Sequence, residues 1–250
     1  MSNIVFDRTK GLTDKEFTYC PGCPHGTIHR LVAEVLVELD ILDNTINISP
    51  VGCAVFANDF FNCDGFQASH GRAPAVATGI KRVVGKEKIV FTYQGDGDLA
   101  SIGAAEIVSA AQRSENITVI FVNNAIYGMT GGQMAPTTMP GQVTTTSPYG
   151  RDPEQVGMPL KVSEMISTIP GAKYIARVST DTPANIRKAK KAIKRAFEYQ
   201  INGHGFAMVE LLSTCNVNWG MTPVESMDWL RDTMLPYYPL GVYRDDEGDK

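Results

Sequence analysis

Short apolar runs alternate with amphipathic stretches along most of this chain. Residues 25 to 42 place Ile28, Leu31, Val32, Val35, Leu36 and Leu39 at helical spacing, with His29, Arg30, Glu34 and Glu38 on the other faces. That pattern predicts an amphipathic helix. It predicts a short strand at Ile46 to Ser49, a helix near Ala73 to Val84, and an apolar strand from Ile89 to Tyr93. The small, helix-prone stretch LASIGAAEIVSAAQR leads into a second apolar run, Ile117 to Val122. Further strands are predicted at Tyr174 to Val178 and Phe206 to Leu212, on either side of a strongly basic helix over about Pro183 to Tyr199. Buried strands alternating with helices predict an α/β fold, a parallel sheet with helices on both faces.

Two segments break this rhythm. Residues 127 to 160, beginning YGMTGGQMAPTTMPGQVTTTSP, are rich in Gly, Pro, Thr and Ser. A loop of that length inside a compact domain is usually functional; the alternative is a plain surface excursion. The tail from about residue 221 carries Trp229, Tyr237, Tyr238 and Tyr243 among prolines and acids, too aromatic for a solvated linker, and is expected to pack on a partner subunit. The 250 residues, 43% of them hydrophobic, are read as one large domain with this C-terminal extension.

Charge narrows the partners. With 23 basic against 27 acidic residues and a formal charge of −4, the chain has no basic footprint for nucleic acid or an anionic membrane. No apolar run reaches the roughly 18 residues of a bilayer crossing, and the start MSNIVFDRTK lacks the regions of a signal peptide. A cytoplasmic location is therefore expected, with small molecules and proteins as partners. Five cysteines in such a setting point to metal binding, redox work or burial rather than disulfides. Cys63, with no near cysteine, is assigned to burial.

The unusual residues follow predicted strands or open the first helix. PVGC follows Ser49, GDGD follows Tyr93, Asn-Asn follows Val122, and STC follows Leu212. In an open parallel sheet these positions line the carboxyl edge, where ligands bind. Gly95-Asp96-Gly97-Asp98 puts glycines where backbone approaches something closely, just before a helix start whose N–H groups suit a phosphate; simple capping is the competing reading. Asn124 lies 28 residues beyond Asp96, about one strand–helix–strand unit (124 − 96). Their oxygens would face each other across adjacent strand ends and suit a magnesium ion carrying a diphosphate.

Cys20-Pro-Gly-Cys23 opens the first helix, and three readings compete for it. Cys20, Cys23, Cys53 and Cys215, or in principle His25 and His29, could form a structural zinc site. A thioredoxin-like pair would give a low-pKa thiolate but leaves Cys53 and Cys215 unexplained. Four thiolates could instead hold a four-iron, four-sulfur (4Fe-4S) cluster.

The Gly-Asp-Gly and Asn-Asn pair resembles the thiamine-diphosphate signature. Beyond it, YCPGCPHG, PVGC, SHGRAPAVATGIK, YQGDGDLASIG, NNAIYGMTGGQ and STC, in that order through most of residues 19 to 216, resemble the β subunit of 2-oxoacid:ferredoxin oxidoreductases. The resemblance implies a thiamine diphosphate-binding fold with magnesium held by Asp96, Asn124 and the carbonyl of Ile126. It places Gly95, Gly97 and Asp98 at the diphosphate, and His25, Cys53, Met129 and Thr130 at the cofactor. It implies Cys20, Cys23, Cys53 and Cys215 as 4Fe-4S ligands, and Cys63 has no counterpart. His70, in SHGR, is a candidate catalytic residue.

The implied reaction is oxidative decarboxylation of a 2-oxoacid to acyl-CoA and CO2, with electrons passing through the cluster to ferredoxin. An α subunit would supply the activating glutamate and coenzyme A contacts, with γ and ferredoxin-like δ subunits as further partners. In 2-oxoglutarate-type members a lysine commonly stands where this chain has Gly131 or Phe56. Met129 and Phe56 would favour an apolar substrate side chain, so a branched-chain 2-oxoacid such as 2-oxoisovalerate is expected ahead of 2-oxoglutarate. The alternatives are a non-enzymatic zinc-bound structural subunit and a non-redox thiamine-dependent decarboxylase.

Overall fold

The computed structural model describes residues 7–248; the first six residues of the chain start read above lie outside them. Seven strands form one sheet: β1 Thr45–Ser49, β2 Asp64–Gln67, β3 Ile89–Gly95, β4 Thr118–Asn123, β5 Ala172–Ser179, β6 Phe206–Leu212 and β7 Gly241–Asp245. Their order is β2-β1-β3-β4-β6-β5-β7. The first six pair in parallel and β7 adds an antiparallel edge beside β5. The parallel sheet expected from the apolar runs is present, with that one reversed strand.

Alternation along the central strands divides the core into two layers. Phe91, Tyr93, Ile120 and Val122 face the helices His25–Glu38 and Pro183–Ile201, while Val90, Val119 and Phe121 face Ala73–Val84, Ala104–Gln112 and Val162–Ser167. All seven of these strand side chains are fully buried, so each contributes on the order of 1.5–3 kcal/mol of apolar transfer. Cys63 packs at the margin of the first layer.

Three elements depart from the sequence-based expectation. The first helix ends at Glu38 rather than residue 42, because Asp40 takes a left-handed backbone, φ 54°, and turns the chain into β1. β2 was not foreseen; all four of its residues are exposed, so it has no apolar pattern to read. The third is the aromatic tail. Leu230, Met234 and Tyr238 are buried against Ala125, Met139 and Leu212 of the same chain, and β7 completes the sheet. Part of its aromatic content serves packing within the chain.

The long segment 127–160 is no loose excursion. Arg151 donates to six of its carbonyl oxygens, those of Ala135, Pro136, Thr138, Val156, Gly157 and Met158. One buried guanidinium therefore satisfies backbone groups that a helix or sheet would otherwise pair.

Candidate active site

Register brings the ends of β1, β3, β4 and β6 to one rim. Asp96 follows β3, and its side chain caps the π-helical turn Gly97–Ile102 by accepting from Gly97 N at 3.0 Å. Its second oxygen accepts from Ile126 N at 3.1 Å and from the Thr137 hydroxyl at 2.5 Å. Burial raises this carboxyl to a pKa of about 7, against the lowering effect of the hydrogen bonds from Thr137, Gly97 and Ile126.

Asn124 stands across the rim. The end of its amide lies 3.3 Å from Asp96 Oδ1 and 2.7 Å from the Ile126 carbonyl oxygen. With nitrogen turned to that side the amide donates to both; with oxygen there, three oxygens meet at one point and require a cation between them. The turn is shaped locally: Asn123 Oδ1 accepts from Ala125 N at 3.1 Å, and Ala125 takes φ 58°, bending the chain so that Ile126 N reaches Asp96 and the Ile126 carbonyl meets the Asn124 amide.

The two glycines of GDGD act differently. A Cβ on Gly97 would stand 2.3 Å from Cε1 of Tyr127, so this position is kept bare for the Tyr127 ring, whereas a Cβ on Gly95 would meet nothing within 4 Å. Gly95 therefore borders open space, in a cavity also lined by His25, Cys53, His70, Asp96, Asp98, Asn124, Ile126, Met129 and Thr130. Asp98 is committed to the protein: Oδ1 accepts from Val51 N and Gly71 N at 3.2 and 2.9 Å, and Oδ2 from Gln94 at 2.6 Å. It fastens the PVGC and SHGR segments to β3 while lining the cavity. His70 Nδ1 sits 3.1 Å from Asp98 Oδ1, outside hydrogen-bonding geometry.

A second cavity, of about 270 Å³, is lined by Cys20, Cys23, Cys53 and Cys215 together. His25, Cys53, Asn124, Gly128 and Met129 line both cavities, so the two are contiguous. Among the described residues no three His, Cys, Asp or Glu side chains converge on a point that could hold one metal ion. The four thiols line one common cavity instead. Burial, followed by the neighbouring thiols, pushes Cys53 up to about 12; burial likewise pushes Cys23 up to about 11. Neither Cys23 nor Cys53 therefore has the lowered pKa of a thioredoxin-like nucleophile.

His25 is buried, with Nδ1 2.8 Å from the Tyr93 hydroxyl, and burial pulls its pKa down to about 4. It stacks on Tyr19, whose own hydroxyl lies 2.6 Å from His29 Nε2. Sequence reasoning missed Thr137, Tyr19, Tyr93 and Asn218 at this rim; Thr137 lies in an aperiodic run and only the fold carries it to Asp96.

Comparison with known proteins agrees with this geometry. Residues 50–211 match the family described as thiamine pyrophosphate enzyme, C-terminal TPP binding domain. The 2-oxoglutarate synthase subunit KorB of Methanocaldococcus jannaschii is 36% identical over 87% of this chain and 78% of its own length. The chain belongs to the β-subunit family of the 2-oxoacid:ferredoxin oxidoreductases. Another member, the ketoisovalerate oxidoreductase subunit VorA of Methanothermobacter thermautotrophicus, is 48% identical over 96% of this chain. The chain spans about half the length of this relative and of its Methanothermobacter marburgensis counterpart. Among solved structures, the 2-oxoglutarate:ferredoxin oxidoreductase of Magnetococcus marinus superposes with a TM-score of 0.78 at 26% identity, covering 98% of this chain and 87% of that one. The GDG–Asn-Asn rim lies inside the thiamine pyrophosphate family match, and Cys53 does too, whereas Cys20, Cys23 and Cys215 lie outside it.

Proposed function

We propose that this chain is the thiamine-bearing β subunit of a 2-oxoacid:ferredoxin oxidoreductase that converts a branched-chain 2-oxoacid and coenzyme A to acyl-CoA and CO2, releasing two electrons to ferredoxin. The observation that carries this reading is the wall shared by the two cavities, with Asp96 Oδ1 and the Ile126 carbonyl meeting at the Asn124 amide on one side and four thiols on the other. Asp96, Asn124 and the Ile126 carbonyl would hold magnesium, Gly95 would leave room for the diphosphate, and Cys20, Cys23, Cys53 and Cys215 would ligate a 4Fe-4S cluster. Thiamine diphosphate supplies a carbon nucleophile and electron sink for decarboxylation, and the cluster supplies one-electron transfer.

The chain's own residues position and insulate. Thr137 and Gly97 hold the Asp96 carboxylate toward the metal position. His25, neutral and fastened to Tyr93, offers a ring between the two cavities without adding charge. His70 would contact cofactor or substrate and is the residue here proposed for proton transfer. No glutamate lines the cofactor cavity among the described residues, which supports an α subunit providing the activating acid along with coenzyme A contacts; γ and δ subunits would complete the complex. Among the described residues no helix is long and apolar enough to cross a membrane, and five free thiols support a reducing cytoplasm.

Substrate preference is supported by apolar side chains at the thiol cavity, where it adjoins the cofactor cavity. Phe56 and Met129 are 47% and 53% exposed there, and neither cavity is lined by lysine or arginine among the described residues. A second carboxylate would lack a partner on this chain. The relatives named for ketoisovalerate support the same choice. 2-Oxoglutarate is the second reading, favoured by the relatives named for it and by the Magnetococcus marinus structure; a cation from the α subunit would then be required.

The test is anaerobic purification with iron, acid-labile sulfide, magnesium and thiamine analysis, followed by assays of the assembled complex on a panel of 2-oxoacids. Bound thiamine diphosphate, a 4Fe-4S cluster and preference for 2-oxoisovalerate are expected. Full turnover by the isolated chain, or stoichiometric zinc without iron, would refute the proposal.

A further inference from the structure

We infer that Asn218 is a positioning residue that ties the thiol site to the metal-binding turn and raises the reduction potential of the cluster held there. The inference rests on the four-thiolate reading above. Asn218 lies in the helical turn Asn216–Trp219, just after Cys215. Its Nδ2 stands 3.2 Å from Cys215 Sγ and 2.9 Å from the carbonyl oxygen of Gly128. Chemistry fixes the amide's orientation: a backbone carbonyl only accepts, so nitrogen must face it, and the same nitrogen reaches the sulfur. Among the described residues no other side chain donates a hydrogen bond to a cysteine sulfur.

Gly128, the other end of this bridge, sits between the two sites. A Cβ there would lie 3.0 Å from Cys53 Sγ, 3.5 Å from Cys215 Sγ and 3.7 Å from Asn124 Nδ2. Gly132, at φ 85°, closes the same loop against Asn218, with a Cβ position 3.2 Å from the Asn218 Cβ. Asn218 is thus held from the loop side and aimed at the thiol. An N–H donated to a ligating sulfur draws off thiolate charge and favours the more electron-rich, reduced cluster, so the potential rises. The cluster that must accept the substrate's electrons becomes the better acceptor, and the loop that carries Ile126 and Met129 is anchored beside it.

The experiment uses the assembled complex, purified anaerobically, with Asn218→Leu, which keeps the side chain's size and removes the donor, and Asn218→Asp, which adds negative charge. Both are titrated potentiometrically by EPR. With iron and sulfide content retained, Asn218→Leu should lower the reduced-to-oxidised ratio about tenfold at the wild-type midpoint, equivalent to about 59 mV for one electron. Asn218→Asp should lower it further. Loosening of Gly128 should also raise the KM for thiamine diphosphate. Fully loaded variants with unchanged midpoints would overturn this inference alone, while wild-type complex lacking iron in this subunit would overturn the cluster reading beneath it. If the variants lose their cluster, wild-type complex labelled with 15N in the asparagine side-chain amides decides instead. A hyperfine coupling of that nitrogen to the reduced cluster is expected, and its absence would overturn the bridge.

Discussion

Asp96 and Thr137 are separated by 41 residues in the chain and meet through a 2.5 Å hydrogen bond from the threonine hydroxyl to Asp96 Oδ2. The Thr137 carbonyl accepts in turn from the buried Tyr238 hydroxyl at 2.9 Å, and Thr138 Oγ1 donates to the Ala125 carbonyl at 2.7 Å. The long loop and the C-terminal tail thus clamp the turn that aims Asp96, Asn124 and Ile126 at one point. A hydrogen bond to a charged group contributes about 1.5–3 kcal/mol. Thr137→Val should therefore weaken magnesium-dependent thiamine diphosphate binding by about tenfold or more, at that free energy, with the far-UV spectrum intact. Calorimetric titration measures it, and unaltered affinity would remove Thr137 from the site.

Gly128→Ala tests the contact between the cavities. The new methyl would stand 3.0 Å from Cys53 Sγ, with a second thiol, Cys215 Sγ, at 3.5 Å and the Asn124 amide at 3.7 Å. Iron and acid-labile sulfide per chain should fall sharply while the chain stays folded. A variant with wild-type iron content would show that the thiols have room the geometry denies them.

The turn is also braced from beneath the sheet. Glu210 Oε1 accepts from Asn123 Nδ2 at 2.8 Å, and Oε2 accepts from Ser163 at 2.5 Å and from Arg177 Nε at 2.9 Å, with Arg177 and Glu210 both fully buried. Removing one member of a buried pair strands the other charge, at a cost of about 3–5 kcal/mol. Arg177→Met should lower stability to urea by that amount, and Arg177→Met with Glu210→Met should recover part of it. A loss below about 1 kcal/mol would mean the pair is not sealed from water.

Two buried histidines predict an acid-labile chain. Burial holds His25 down to about 4, and burial followed by His25 holds His29 well below its ordinary value. The unfolded chain binds protons near the ordinary value of about 6.5. Between about 6.5 and 4 the unfolded state therefore carries protons that the native state refuses, and stability falls as pH falls through that window. His25 alone accounts for about 3 kcal/mol across it. Urea midpoints at a series of pH values should show the decline, and His25→Gln should reduce it, leaving the share that His29 contributes.

Much of this was legible in the chain itself. β3, β4, β6 and the helix Ala73–Val84 appear where apolar runs and helical spacing place them, because strands buried on both faces and amphipathic helices leave unambiguous patterns. The spacing of Asp96 and Asn124 anticipates their meeting for a related reason: one strand–helix–strand unit returns the chain to the adjacent strand end. β2 and β7 left no comparable mark, since edge strands exposed to water need no alternation.

The local sequence by itself determined which segments pair into the parallel sheet and which chemically competent residues reach its carboxyl edge. Burial periodicity and turn chemistry act between near neighbours, and they are written in consecutive residues. Only the tertiary structure decided that Thr137 and Tyr238 would brace Asp96, that Arg177 and Glu210 would hold Asn123, and that Gly128 and Asn218 would stand between thiols and turn. Those contacts join segments tens to over a hundred residues apart, and their partners are chosen by packing, which no short-range pattern records.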